Sequence, residues 1–346
     1  MSGKRKTAVV ICPGRGSYNK SELGYLHRHH SDKADLLQAV DQYRHQQGQI
    51  PVGALDQTEP YSRELFNRGD NASSLIYACA YADFLSIDRE HFDIVAVTGN
   101  SMGWYIALAC ANALAPRNAM QLINSMGNLM HSQQTGGQII YPLVDENWNC
   151  IPGRHQALIK LRDKIHAHAE CELYTSIELG GMLVFAGNQA ALKILQSELE
   201  PLSPYPMRLS GHGAFHSPIM QAICAQARSD LDANLFSQID TPLIDGRGNN
   251  WQPWATDPAE LWDYTLGEQI TKTYNFTLAV QNSVKEFSPE ALIILGPGNS
   301  LGAVTAQALI DINWQGLHSK QDFSNRQARD PFILSMGLEE QRSLCI

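Results

Sequence analysis

The stretch Ile94-Val95-Ala96-Val97-Thr98-Gly99-Asn100-Ser101-Met102-Gly103-Trp104-Tyr105-Ile106-Ala107-Leu108 decides the fold. An apolar, β-branched run ends on a glycine, a serine follows almost at once, and an apolar helical pattern begins directly after it. Gly99 to Gly103 is a G-x-S-x-G turn. Glycines permit the sharp change from strand to helix. The hydroxyl is left at the apex, and the helix N-terminus supplies unpaired N–H groups suited to an oxyanion. Such a motif arises by chance in about a tenth of chains of this length at ordinary Gly and Ser usage. A second copy, Gly298-Asn299-Ser300-Leu301-Gly302, is indeed present. Ser101 follows its strand directly, whereas Ser300 lies beyond a Gly296-Pro297-Gly298 turn. Ser101 is therefore the candidate nucleophile and Ser300 a turn serine.

Working outward, Thr7–Cys12 before Pro13-Gly14-Arg15-Gly16 and Ala291–Leu295 before Gly296 are runs of the same kind. Continuous Val/Ile/Leu runs predict a parallel sheet buried on both faces. Helical patterns over 35–44, 72–84, 102–114 and 118–130 alternate with them, which predicts α/β layers. The middle reads differently: strand 138–144, helix 154–169, a strand pair 172–178 and 182–186 around Gly180-Gly181, helix 188–199 capped by Asn188, and strand 205–209. That βαββαβ order is the ferredoxin-like unit. The prediction is an α/β, hydrolase-like core with a parallel sheet, built from 1–134 and 208–317. A ferredoxin-like small subdomain is inserted at 135–207. The polar tail, 318–346, reads as a surface extension, with an apolar run only at Phe332–Met336.

The composition fits this reading. Of 346 residues, 26 are Lys or Arg and 35 are Asp or Glu, a net charge of −9. That balance argues against a nucleic-acid or anionic-membrane partner. A hydrophobic fraction of 44% excludes a disordered chain, and 18% charged residues implies extensive burial. The seven cysteines are scattered with no CxxC pair, as expected of reduced thiols in a cytoplasmic protein. The apolar run near the start, Ala8–Cys12, is too short for a signal peptide. No stretch approaches the length of a membrane span.

A serine nucleophile needs a base. Among the twelve histidines, His27, His29 and His30 lack an acid or Cys at ligand spacing, so a solvated surface rather than a metal site is expected. His166 and His168 do not share a helix face. His212 and His216 lie in Leu209-Ser210-Gly211-His212-Gly213-Ala214-Phe215-His216-Ser217-Pro218-Ile219-Met220, a strand end leading into a helix. By residue physics alone the two are equal candidates.

Taken in order, these motifs resemble the malonyl-CoA:acyl carrier protein transacylase family, which includes the acyltransferase domains of fatty-acid and polyketide synthases. Pro13-Gly14-Arg15-Gly16-Ser17 is similar to its P-G-Q-G-S, and Gly99 to Leu108 to its G-H-S-x-G-E-Y-x-A-L. Phe215-His216-Ser217 with Met220 is similar to F-H-S-x-x-M, and Gly296-Pro297-Gly298 to a late G-P-G turn. The resemblance implies that Ser101 is the nucleophile and His216 its base, with the N–H groups of Met102 and Arg15 as oxyanion hole. It also implies that Asn275 stands where main-chain carbonyls orient the imidazole. The implied reaction carries an acyl group from acyl-CoA, through a seryl ester, to the phosphopantetheine thiol of an acyl carrier protein. No cofactor or metal takes part, and coenzyme A enters only as its thioester.

The chain departs from the family in the acyl pocket. Malonyl-specific members hold the free carboxylate with an arginine whose position is Met126 here, and Arg117 lies about 13 Å away along the helix. Trp104 replaces the Glu/Gln after the elbow, and Asn100 replaces the His before the nucleophile. With Phe215, these residues form the expected acyl pocket. A malonyl carboxylate buried there unpaired would cost about 3–5 kcal/mol, so a neutral acyl group is expected. Arg15, in place of the family's Gln, offers a cation from another side. The alternatives are a conventional malonyl transacylase, an acyl-thioester hydrolase that edits stalled carriers, and a non-catalytic synthase subunit. Lys160, Arg162 and Lys164 are candidates for docking an acidic carrier; the competing reading is a solvated helix face.

Overall fold

The computed structural model describes residues 4–346; residues 1–3, which begin the span read as the large subdomain, lie outside them. The strands in chain order are β1 (Lys6–Cys12), β2 (Phe92–Gly99), β3 (Gly137–Pro142), β4 (Leu173–Leu179), β5 (Met182–Gly187), β6 (Met207–Arg208), β7 (Leu243–Ile244), β8 (Asn250–Trp251), β9 (Tyr274–Asn275), β10 (Ala291–Ile294) and β11 (Ile333–Ser335). They form two sheets.

The larger sheet runs β11-β10-β1-β2-β7-β8. Its pairings are parallel except β7 with β8. Val9, Val10, Leu292 and Ile293 are fully buried, as a sheet covered by helices on both faces requires. The register pairs Cys12 with Gly99. The loop after β1 and the turn after β2 therefore emerge side by side at the carboxyl edge, where open α/β sheets bind ligands.

The smaller sheet runs β6-β3-β5-β4-β9. β6, β3, β5 and β4 pair antiparallel in a βαββαβ run with helices Arg154–His166 and Gln189–Glu198. Ile139, Leu158, Leu183, Phe185 and Leu192 close a core of their own. Asn188 caps the second helix, its side chain accepting from Ala191 N–H at 3.0 Å. One feature lies outside the expected span 135–207. Residues 274–275 add β9 parallel to β4, pairing Ile177 with Tyr274. An edge strand left open would expose unpaired N–H and C=O groups, and β9 satisfies them while joining the two sheets.

Two expectations need correction. The tail over 318–346 is not a surface extension. Its helix Lys320–Arg329 is exposed, but Ile333–Ser335 forms the edge strand β11, and Phe332, Met336 and Cys345 are buried. Polar flanks hid a short apolar strand whose partner lies some forty residues earlier in β10. Nor do all three early histidines lie at a solvated surface: His27 is exposed and His29 half-buried, but His30 is not. His30 is fully buried, with Nε2 2.8 Å from Asp83 Oδ1, and Arg342 Nη1 meets the same oxygen at 2.6 Å. Asp83 also accepts from Gly296 N–H at 2.7 Å. The acid absent from sequence spacing comes from helix Gly69–Ser86. No helix among the described residues is long and apolar enough to cross a membrane.

Candidate active site

The turn after β2 is a strained elbow. Ser101 has φ 57°, in the left-handed region that non-glycine residues avoid. A Cβ at Gly103 would clash with the carbonyl of Cys12, so only glycine lets the elbow helix, Gly103–Cys110, approach β1 this closely. Tyr274 O–H donates to Gly99 O at 2.6 Å and Thr98 Oγ1 to Ile244 O at 2.8 Å, bracing the strand end.

His216 meets the serine from the other side, with Nε2 2.7 Å from Ser101 Oγ. It too has a left-handed backbone, φ 55°. Its Nδ1 lies 2.6 Å from the carbonyl of Gln269. That carbonyl can only accept, so Nδ1 carries the proton and Nε2 is left free to take one from the serine. The ring is 4% exposed, and burial pushes its pKa down to about 4, opposed by the bond to Gln269. It is neutral, as a base must be.

Gln269 also fixes the serine side. Its Nε2 donates to Ser101 O at 3.1 Å, and its Oε1 accepts from Tyr105 O–H at 2.8 Å. Asn275, expected to orient the histidine, does not. Its Oδ1 caps helix Phe276–Phe287 by accepting from Leu278 N–H at 2.8 Å, and its N–H donates to Gly246 O. Gln269 was missed because a main-chain carbonyl leaves no mark on sequence. Arg15 and Met102 flank the serine, and their main-chain N–H groups make no internal hydrogen bond among the described residues.

A small cavity of about 40 Å³ opens beside Ser101, bounded by Arg15, Met126, Met130, Phe215 and Ile270 among others. A single water needs about 10–15 Å³ on the same scale, so the space suits a short group. Met126 and Phe215 lie where expected. Trp104 does not: it is fully buried behind the elbow, with Nε1 donating to Thr265 Oγ1 at 2.9 Å and its ring edge-on to Tyr264. Asn100 faces the larger cleft instead, about 1050 Å³, which Ser101, Arg15 and His212 also line. Ser300 is exposed and lines that cleft, and its hydroxyl bonds no histidine among the described residues.

Arg15 lies over the Phe215 ring at 5.4 Å, and its Nη2 donates to Asn67 O and Gly211 O. Its Nη1 is buried with no partner among the described residues, and burial lowers its pKa to about 10. Of the helix cations, Arg162 is half-buried against Asp163 and Thr175, while Lys160 and Lys164 are exposed. Among the described residues no group of three or more His, Cys, Asp or Glu is placed to hold a metal.

No protein-family model matches the chain. It is 23% identical over 297 residues to the polyketide biosynthesis malonyl CoA-acyl carrier protein transacylase PksC of Bacillus subtilis, across 85% of this chain and 94% of that protein. It is 22% identical over 209 residues to the malonyl CoA-acyl carrier protein transacylase of the same organism, spanning 60% of this chain and 62% of that relative's length. The solved malonyl-CoA:ACP transacylase of Synechocystis sp. PCC 6803 superposes with a TM-score of 0.74 at 18% identity, over 98% of this chain and 99% of that one. The chain thus shares the fold of solved malonyl-CoA:acyl carrier protein transacylases. Within that fold the serine–histidine pair sits where β1 and β2 end, with a small cavity on one side and a wide cleft on the other.

Proposed function

We propose that the protein is an acyltransferase carrying an acyl group from a coenzyme A thioester, through an ester on Ser101, to the phosphopantetheine thiol of an acyl carrier protein. The observation that carries this is the 2.7 Å contact between Ser101 Oγ and His216 Nε2, at the junction of cavity and cleft. Ser101 attacks the thioester carbonyl while His216 takes its proton. The N–H groups of Arg15 and Met102 hold the oxyanion, and His216 returns the proton to the departing thiol. The carrier's thiol then attacks the ester, His216 accepts its proton and Ser101 leaves protonated. Substrate thioesters and this pair suffice for every step. The reading includes a cytoplasmic site of action.

The acyl group is short and neutral in this reading. The cavity is small, and Ile123, Met126, Met130 and Ile270 give its floor no cation. A second reading, conventional malonyl transfer, is favoured by Arg15, a cation that lines the same cavity and whose Nη1 has no hydrogen-bond partner among the described residues. Rates of Ser101 acylation from acetyl-, butyryl- and malonyl-CoA decide between them; malonyl loading that is fastest and lost in Arg15→Gln establishes the second. Product analysis with and without carrier protein separates transfer from hydrolysis. A serine-directed fluorophosphonate that fails to label Ser101 overturns the enzyme assignment in favour of a non-catalytic subunit.

A further inference from the structure

Four residues before the base, His212 is held in one state by a buried chain of hydrogen bonds. Ser176 Oγ donates to Phe215 O at 2.8 Å, so its lone pair accepts from Gln138 Nε2 at 2.6 Å. That fixes the amide of Gln138 with Oε1 outward, 2.7 Å from His212 Nδ1. Oε1 can only accept, so the proton sits on Nδ1 and Nε2 of His212 is a bare acceptor. Burial, the charge of Arg15 and the nearness of His216 push the pKa of His212 down to about 3, which keeps it neutral.

The proposed half-reactions leave this acceptor without a task, since His216 handles the proton. His212 is half-buried and lines the cleft that also reaches Ser101. Its ring rests on Phe215, 5.6 Å between centroids. Nε2 makes no internal hydrogen bond among the described residues and is not shut in. The neighbouring acceptor, Asn100 Oδ1, is sealed from solvent, and Arg15 offers only donors. A substrate arm threading this cleft to Ser101 therefore meets a fixed neutral acceptor at His212 Nε2.

The geometry points to His212 as a binding residue that accepts the amide N–H of the pantetheine arm, through Nε2, in both coenzyme A and carrier substrates. This rests on the proposed acyl transfer. The arm carries an amide a few bonds from its sulfur, so the contact aligns the thioester over Ser101 without entering the chemistry. Its loss weakens binding uniformly and leaves the acylation step itself unchanged.

The test compares two thioesters of whichever acyl group wild-type loads faster: the CoA thioester and the S-phenyl thioester, which has no amide. His212→Phe keeps a ring on Phe215 and removes the acceptor. For the CoA thioester it is expected to raise KM about tenfold with kcat within about twofold, while leaving the S-phenyl ester unchanged. His212→Gln, which restores an acceptor, is expected to recover most of the KM. An equal loss on both thioesters, or no change on the CoA thioester, overturns the assignment. If wild-type Ser101 forms no ester with either compound, it is the acyl-transfer reading that fails.

Discussion

The carbonyl of Gln269 accepts the Nδ1–H of His216 at 2.6 Å, while the side-chain amide of the same residue donates to Ser101 O at 3.1 Å. One residue thus holds both members of the pair, the base by its backbone and the serine by its side chain. A buried carboxylate is not needed to choose the imidazole tautomer. A carbonyl does so without adding a charge that would itself need compensation.

Gln269→Ala retains the carbonyl but loses the bonds to Ser101 O and Tyr105 O–H. The peptide that presents the carbonyl is then free to drift. The rate of Ser101 acylation is expected to fall about 10–100-fold, with two hydrogen bonds of about 1 kcal/mol each at stake. Asn275→Ala is the contrast, because it removes only a helix cap. It is expected to lower stability by about 1 kcal/mol and leave acylation within about twofold. Chemical denaturation and single-turnover labelling read the two outcomes. A larger rate loss at 275 than at 269 would return the orienting role to Asn275.

The pH dependence follows from His216. Its pKa is pushed from the ordinary histidine value down to about 4 by burial. Acylation is therefore expected to stay flat between about pH 8 and 5 and to fall only as pH approaches 4. An inflection near 6.5 in the single-turnover profile contradicts this. For stability, the native ring stays neutral while the unfolded ring takes a proton below about 6.5. The unfolded state then binds more protons, so stability is lost as pH falls from about 6.5 to about 4. His216→Phe is expected to remove part of that slope in urea midpoints measured across the window.

The elbow was legible in the sequence because its chemistry and its backbone demand coincide: apolar strand, glycine, serine, glycine, apolar helix. His216 was not legible from residue physics, since His212 shares its loop; resemblance alone favoured it. Trp104 misled because a substitution within a motif reads as a change of pocket, whereas the side chain turns into the core toward Thr265. The tail misled for a different reason. Burial of Arg342 depends on Asp83, 259 positions earlier, and local polarity carries no trace of a distant partner. Residues whose role is set by their own backbone could be read, and those set by long-range pairing could not.

That distant pair makes its own prediction. Asp83 is fully buried and serves His30, Arg342, Tyr25 O–H and Gly296 N–H together. Asp83→Ala leaves the Arg342 charge buried without its counter-ion. The expected loss is about 3–5 kcal/mol by chemical denaturation. Asp83→Ala combined with Arg342→Met removes the stranded charge and is expected to recover part of the loss. A loss under about 1 kcal/mol in the single variant would show that the tail is not fastened through this pair.

Met126 offers the sharpest reading of the small cavity. It is 2% exposed and forms part of the floor facing Ser101, with Met130 and Ile123 beside it. Met126→Ala removes that floor, at a cost of about 2–5 kcal/mol in stability where the site does not collapse. The vacated space enlarges the cavity that Ser101 also borders. Butyryl loading is therefore expected to rise about tenfold relative to acetyl loading, each followed as mass added to Ser101 in a single turnover. The gain has a ceiling set by transfer free energy, about 0.8 kcal/mol for each methylene newly accommodated. If the variant folds, loads acetyl groups normally and gains nothing with butyryl-CoA, the acyl chain does not occupy this cavity and must lie in the wider cleft toward His212.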